Sequence, residues 1–227
     1  MSGRPLYQGA FMFAGLMLDL DGTLADTALD LVGAAQRLCE HYGVTAPAYA
    51  TLRAHVSSGA SAMLKAALGC TPEDGEFSRA KRRFLSLYAR DPVARTRLFE
   101  GMEEVLAELR ARRIPWCVVT NKPEPLARLV VHGLALTHHC AGIIATGTTA
   151  QNKPHGQPVR LAAHLTGIAP PQLLMIGDDR RDIQAAHTAG AGALAAAWGY
   201  IAPGEDCGNW GALAVLHRPQ QIMSWLK

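Results

Sequence analysis

Two aspartates separated by a single residue close an apolar run in GLMLDLDGT, residues 15–23, and Gly22 and Thr23 follow at once. Carboxylates held about 4 Å apart repel by roughly 4 kcal/mol at an effective dielectric of 20, so Asp19 and Asp21 need a reason to sit together. Three later segments carry polar residues that could supply one: Thr120-Asn121-Lys122, Lys153-Pro154, and Gly177-Asp178-Asp179-Arg180-Arg181-Asp182. Each is weak by itself. Thr and Asn commonly start turns, and an Asp ahead of a helix can serve as its N-cap. Their order, three of them at or just past the ends of separate apolar runs and Lys153 in a following loop, points to one site. Asp19, Asp21 and Asp178 brought together demand a cation, and oxygen ligands completed by water and phosphate suit Mg²⁺. Lys153 adds a fixed positive charge, so the expected substrate is an anion.

The elements that must position these residues are short. Runs 13–18, 114–120, 141–146, 172–177, 192–198 and 213–216 lack the alternation of half-exposed strands, the pattern of buried parallel strands. Helical patterns separate most of them, which predicts a wound α/β sheet with its ligands beyond the carboxyl ends of the strands. Residues 26–95 break the alternation, with helical segments only. The first opens with Thr27-x-x-Asp30, a capping-box spacing, sets Leu29, Val32, Cys39 and Tyr42 near one face, and stops at Gly43. The second ends at Gly69, and the third carries Phe77, Phe84 and Tyr88 at near-helical spacing ahead of Pro92. The expected organisation is a flexible extension over 1–11, an α/β core over 12–25 and 96–227, and a helical cap over 26–95.

Composition narrows the class. Hydrophobic residues make up 49% and charged residues 18% of the 227, with a net charge of +3, which is globular and not disordered. The basic runs 79–83 and 110–113 lie in helical patterns with few aromatics nearby; they read as solvated faces, and no nucleic-acid partner is expected. Five cysteines without a CxxC pair suit reduced thiols in a cytoplasmic protein, with Cys117 a core residue and no cysteine a metal ligand. The apolar run 10–18 is too short to span a bilayer and lacks the flanks of a signal peptide, so neither membrane association nor export is expected. Nothing in the sequence assigns an oligomeric state.

With these motifs in this order, the chain resembles the haloacid dehalogenase superfamily, in its phosphoglycolate-phosphatase-like branch with a helical cap after the first strand. The resemblance implies a Rossmann-like parallel-sheet core and a Mg²⁺-dependent phosphatase acting on a small phosphorylated metabolite. Residue by residue, it implies Asp19 as a nucleophile forming an aspartyl-phosphate and Asp21 as general acid and base. It places Thr120, Asn121 and Lys122 at the phosphoryl group and Lys153 as charge balance. Asp19, the Asp21 carbonyl and Asp178 would hold the metal, with Asp182 behind them or as a further ligand. Asp179 stands where the family often has Ser or Thr, and Gly156 replaces the middle proline of the family's Lys-Pro-x-Pro-x-Pro. The segment 55–64 resembles the cap loop that closes over the leaving group, marking Ser57, Ser58 and Gly59 as specificity residues. The stretch WGYIAPGEDCGNWGA, with GDDRRDI and LFEGM, resembles bacterial N-acetylmuramic acid 6-phosphate phosphatases, so that sugar phosphate and 2-phosphoglycolate are both expected substrates.

Rival readings are weaker. Asp21 argues against dehalogenation, since haloalkanoate dehalogenases lack that carboxylate. A β-phosphoglucomutase-like phosphotransferase would keep both aspartates and stands as the alternative. Phosphonate hydrolysis would need an imine-forming cap lysine, and Lys65 is a candidate by residue type alone. A dinucleotide site at Gly190-x-Gly192-x-x-Ala195 has its glycines after a helix and before a strand, the reverse of the required context. A non-catalytic binding module would be expected to have lost Asp19, Asp21 or Lys153.

Overall fold

The computed structural model describes residues 12–202 and 204–227; the expected extension 1–11 lies outside them. Its centre is a six-stranded sheet, all neighbours parallel, built from β1 (Gly15–Leu18), β4 (Trp116–Pro123), β5 (Ile143–Thr146), β6 (Leu173–Gly177), β7 (Gly192–Ala196) and β8 (Val215–Leu216) in the order β5-β4-β1-β6-β7-β8. β1 is central, and chain order reverses on either side of it. Leu18 lies level with Val118 of β4 and Ile176 of β6, so the residues following these three strands emerge side by side. That is the switch-point crevice where parallel sheets bind ligands.

Both sheet faces are covered, which explains the continuous apolar runs. Leu16 and Leu18 face one core with α5 (Met102–Ala111) and α6 (Glu124–Gly133), while Met17 faces another with α7 (Gln157–Thr166) and α8 (Arg180–Ala189). The expected strands all appear with shifted bounds, and three of the shifts have a clear cause. Run 13–18 begins its ladder only at Gly15, because Phe13 pairs instead with the C-terminal segment, its N–H donating to Trp225 O and its carbonyl accepting from Lys227 N. β4 continues past Thr120 to Pro123 through a register shift. β7 stops at Ala196, since Trp198 turns away to donate its indole N–H to Thr23 O.

Four helices fill the segment after β1: α1 (Ala28–His41), α2 (Tyr49–Arg53), α3 (Ala60–Leu68) and α4 (Phe77–Ala89), with α1 packed against the other three. The sequence reading missed α2, a helix of 5 residues too short to show a period. It also missed the two-residue strands β2 (Ala25–Asp26) and β3 (Arg97–Leu98), which pair antiparallel where the chain leaves and re-enters the sheet layer. Leu29 and Tyr42 are exposed, and α1 buries Leu31, Val32, Leu38 and Cys39.

The expected capping box at Thr27 does not form. Thr27 Oγ1 donates instead to Asp21, and buried Asp30 accepts from the backbone N–H groups of Arg95 and Thr96 (3.0 and 2.8 Å) and from Thr96 Oγ1 (2.8 Å). One carboxylate thus ties the start of α1 to the return crossing. The Asp30→Ala substitution leaves buried donors unpaired and should cost about 3 kcal/mol in urea unfolding; a loss below about 1 kcal/mol would mean the crossing is held otherwise.

Candidate active site

The four sequence motifs converge at the carboxyl ends of β1, β4 and β6. Asp19 directly follows β1, and its Oδ1 accepts from Leu20 N (2.7 Å) and pairs with Lys153 Nζ at 3.0 Å. Among the described residues no hydrogen bond reaches its Oδ2. Lys153 is fully committed: besides Asp19, its ammonium pairs with Asp182 Oδ1 at 2.5 Å and donates to Val119 O at 2.7 Å. Burial alone would lower its pKa, but the carboxylates of Asp182 and Asp19 override that and raise it, so Lys153 stays charged. Asn121 fixes the lysine's backbone, its amide donating to Lys153 O (2.8 Å) while its Oδ1 accepts from Lys153 N (3.0 Å). Thr120 is buried beside it, with Oγ1 accepting from Lys122 N.

Asp21 lies apart from that network. Its carboxylate pairs with Lys122 Nζ at 2.9 and 3.0 Å and accepts from Thr27 Oγ1 at 2.7 Å. Lys122, expected at the phosphoryl group, is therefore spent on Asp21, and its ammonium also sits 4.4 Å from the centre of the Tyr88 ring of α4. Burial opposes the charge on Lys122, yet Asp21 raises its pKa.

Asp178 directly follows β6 and is buried. Thr23 Oγ1 donates to its Oδ1 (2.9 Å), and Tyr200 N and Ser57 Oγ donate to its Oδ2 (2.8 and 2.6 Å). Its pKa is pushed up to about 7 by burial first and then by the charge of Asp19. Ligand oxygens of Asp19, Asp178 and Asp182 all lie within 4.8 Å of one another. Ser57 Oγ also lies 3.2 Å from the carbonyl oxygen of Asp21; with one proton to give, it cannot serve both acceptors fully. Asp179 caps α8, accepting from Arg181 N, and is clamped by the Arg181 guanidinium, which also donates to Ser57 O at 2.7 Å.

Several of these residues escaped the sequence reading. Thr23 belongs to the DGT motif and could have been named. Arg181 and the Trp198–Tyr200 segment lie in stretches the sequence singles out, GDDRRDI and WGYIAP, but their contacts here could not be read from it, since only the fold makes them. At Gly22 (φ +90°) an added Cβ would collide with the Asp178 carboxylate, and at Gly199 with Asp178 and the Gly22 carbonyl. Tyr200 further links its hydroxyl to Asp26 and to Ala28 N, bracing the crossing out of the sheet layer.

Asp19, Asp21 and Asp182, with Thr120, Lys122 and Lys153, open into a cavity of about 380 Å³ between the strand ends and the helical layer, and Asp178 lies behind them outside its lining. Ser57, Ser58 and Gly59 all line it, and its upper wall is apolar, with Leu31, Val56, Met63, Phe84 and Leu85. Lys65 is exposed and does not line it; the lysine of the helical layer that does is Lys81.

The haloacid dehalogenase-like hydrolase family matches residues 16–196. The chain is 35% identical over 207 residues to an N-acetylmuramic acid 6-phosphate phosphatase from Pseudomonas putida, covering 91% of this chain and 93% of the relative. It is 36% identical, with the same coverage, to a phosphoglycolate phosphatase from Xanthomonas campestris. In fold it is similar to the crystal structure of a predicted phosphoglycolate phosphatase from Haemophilus somnus, with a TM-score of 0.83 at 23% identity over 93% of this chain and 96% of that one. Four motifs on adjoining strand ends, a family match across most of the chain and relatives above 30% identity agree: this chain belongs to the haloacid dehalogenase-like hydrolases.

Proposed function

We propose that this hydrolase cleaves a phosphate monoester of a small metabolite through an aspartyl-phosphate on Asp19. It is a phosphoric monoester hydrolase, as its family and its relatives' names agree. The observation that carries the mechanism is the division of labour between two carboxylates: Asp19 is pinned through one oxygen with the other left undonated, while Asp21 is held separately by Lys122 and Thr27. In the first step Asp19 Oδ2 attacks phosphorus, and Asp21 protonates the departing ester oxygen. In the second, Asp21 takes the proton from the water that releases phosphate from Asp19. Lys153 offsets the charge on the nucleophile, and the backbone N–H beside Thr120 and Asn121 would donate to phosphoryl oxygens.

The residues present fit a hard divalent cation. Three clustered carboxylates against one ammonium leave a net of two negative charges in a buried space, and every potential ligand is oxygen. Asp19, Asp178 and Asp182, with the Asp21 carbonyl, would hold Mg²⁺. When bound, it would neutralise charge on the phosphoryl oxygens. The helical layer over residues 26–95 serves as a cap over this chemistry, with core residues on either side of it in sequence. The volume of about 380 Å³ lies in the range of sites for ligands well beyond two carbons, which favours a sugar phosphate such as N-acetylmuramic acid 6-phosphate over 2-phosphoglycolate.

Phosphate release from a panel including both esters tests the reading. Asp19→Asn should lower kcat by ~10³-fold or more, and wild type indistinguishable from that variant on every ester would refute a phosphatase. Phosphoryl transfer back to a sugar without free phosphate would indicate the mutase. Chelation with EDTA should abolish release and added Mg²⁺ restore it; full activity after exhaustive chelation would show that no metal takes part. Gly199→Ala, which crowds Asp178 from behind, should raise the Mg²⁺ concentration for half-maximal rate by about tenfold. An unchanged Mg²⁺ requirement would place Asp178 outside the metal site.

A further inference from the structure

Every cationic side chain at the floor of the cavity has a carboxylate partner: Lys122 has Asp21, Lys153 has Asp19 and Asp182, and Arg181 has Asp179. Among the described residues, Lys81 is the one cationic side chain lining the cavity without a carboxylate partner. Its nearest recorded interaction is a 5.8 Å approach to the Phe77 ring centre, at the outer limit of a cation–π contact. It is half-buried, not free on the surface.

Lys81, Phe84, Leu85 and Tyr88 all line the cavity and stand at i, i+3, i+4 and i+7 on α4, one continuous stripe. Tyr88 marks its inner end, since its ring covers the Lys122 ammonium that holds Asp21. Seven residues at 1.5 Å per residue put Lys81 about 10 Å farther along the helix, and side chains on a helix lean toward its N-terminus, so the separation persists to their tips. Between the two lies apolar wall, Phe84 and Leu85, with Met63 of α3 also on the cavity.

We propose that Lys81 is a specificity residue that binds a carboxylate on the leaving group, carried on an arm across a sugar ring from the phosphate. This deepens the phosphatase reading and rests on it. The phosphate would sit among the paired groups of the floor, the ring against Phe84 and Leu85, and the carboxylate on the unpartnered ammonium. A carboxylate two bonds from the ester oxygen would be too close to the floor to use Lys81 in the same pose. N-Acetylmuramic acid 6-phosphate, named for one of the relatives, has this layout, with its phosphate and its lactyl carboxylate on different ring positions.

The test compares that ester with N-acetylglucosamine 6-phosphate, which differs only in lacking the lactyl group. Wild type should favour the lactyl-bearing ester in kcat/KM by about 10- to 100-fold, the worth of one charge-assisted bond in a partly dry site. In Lys81→Met the ratio should collapse toward unity, chiefly through a higher KM for the lactyl ester, and Lys81→Arg should restore much of it. Equal losses on both esters in Lys81→Met would show a structural role and overturn the assignment. Wild-type turnover of both esters without preference would overturn it too, while leaving the phosphatase intact. Hydrolysis of neither ester, with release from some other monoester, would overturn the assignment and the sugar-phosphate reading together.

Discussion

A single buried ammonium organises the site. Lys153 Nζ pairs with Asp19 just past β1 and with Asp182 on α8 and donates to Val119 O on β4, so one charge ties three separate elements. An ammonium withdrawn from water costs several kcal/mol unless its donors are matched, so these elements are held to the one arrangement that matches them. Asn121 fixes the lysine from behind through both of its amide atoms. Yet Lys153 cannot balance everything it gathers. With Asp178 also pressed against the group, two negative charges remain, and the charge of Asp19 adds to burial, the larger cause, in pushing the Asp178 pKa up. The crowding that first marks Asp19 and Asp21 in the sequence is thus relieved in two portions: Lys122 takes Asp21 aside, and the rest is left for a cation.

The helical layer is joined to this floor by contacts that depend on the same charges. Ser57 donates toward Asp178 and lies near the Asp21 carbonyl, two oxygens also suited to a metal, while Arg181 holds the Ser57 carbonyl from the core side. From the other side Tyr88 covers Lys122. The layer therefore touches the floor at two points, a loop ahead of α3 and the far end of α4. Tyr200 and Asp30 brace the crossings between layers, one on each chain passage.

The strand ends were legible in the sequence because their chemistry is local: a buried parallel strand must be apolar until it leaves the sheet, so the first polar residues mark where ligands gather. The partners were not legible. Thr27-x-x-Asp30 has the spacing of a capping box, but the donors Asp30 accepts from are at Arg95 and Thr96, and only the closed fold brings them near. Likewise Asp179 reads equally well as cap or ligand; it caps α8 and pairs with Arg181, while its neighbour Asp178 points into the cluster. The face of α1 was misjudged at Leu29 and Tyr42 because that helix is apolar on more than one side, where a 3.6-residue period carries little information.

Discrimination between substrates has little room on the floor. Its cations and carboxylates are bound to one another, and any change there disturbs Lys153 and with it the whole arrangement. The wall of the helical layer is freer at its outer end, where Lys81 and Leu85 are only half-buried and, among the described residues, Lys81 has no carboxylate partner. Selection can alter the wall without touching the chemistry. Relatives at 35% and 36% identity, with the same coverage, bear names for two different phosphate esters, so overall likeness does not separate the substrates. Both named esters do share a carboxylate. What differs between them is its distance from phosphorus, and in this protein the position of Lys81 along α4 is the feature that measures that distance.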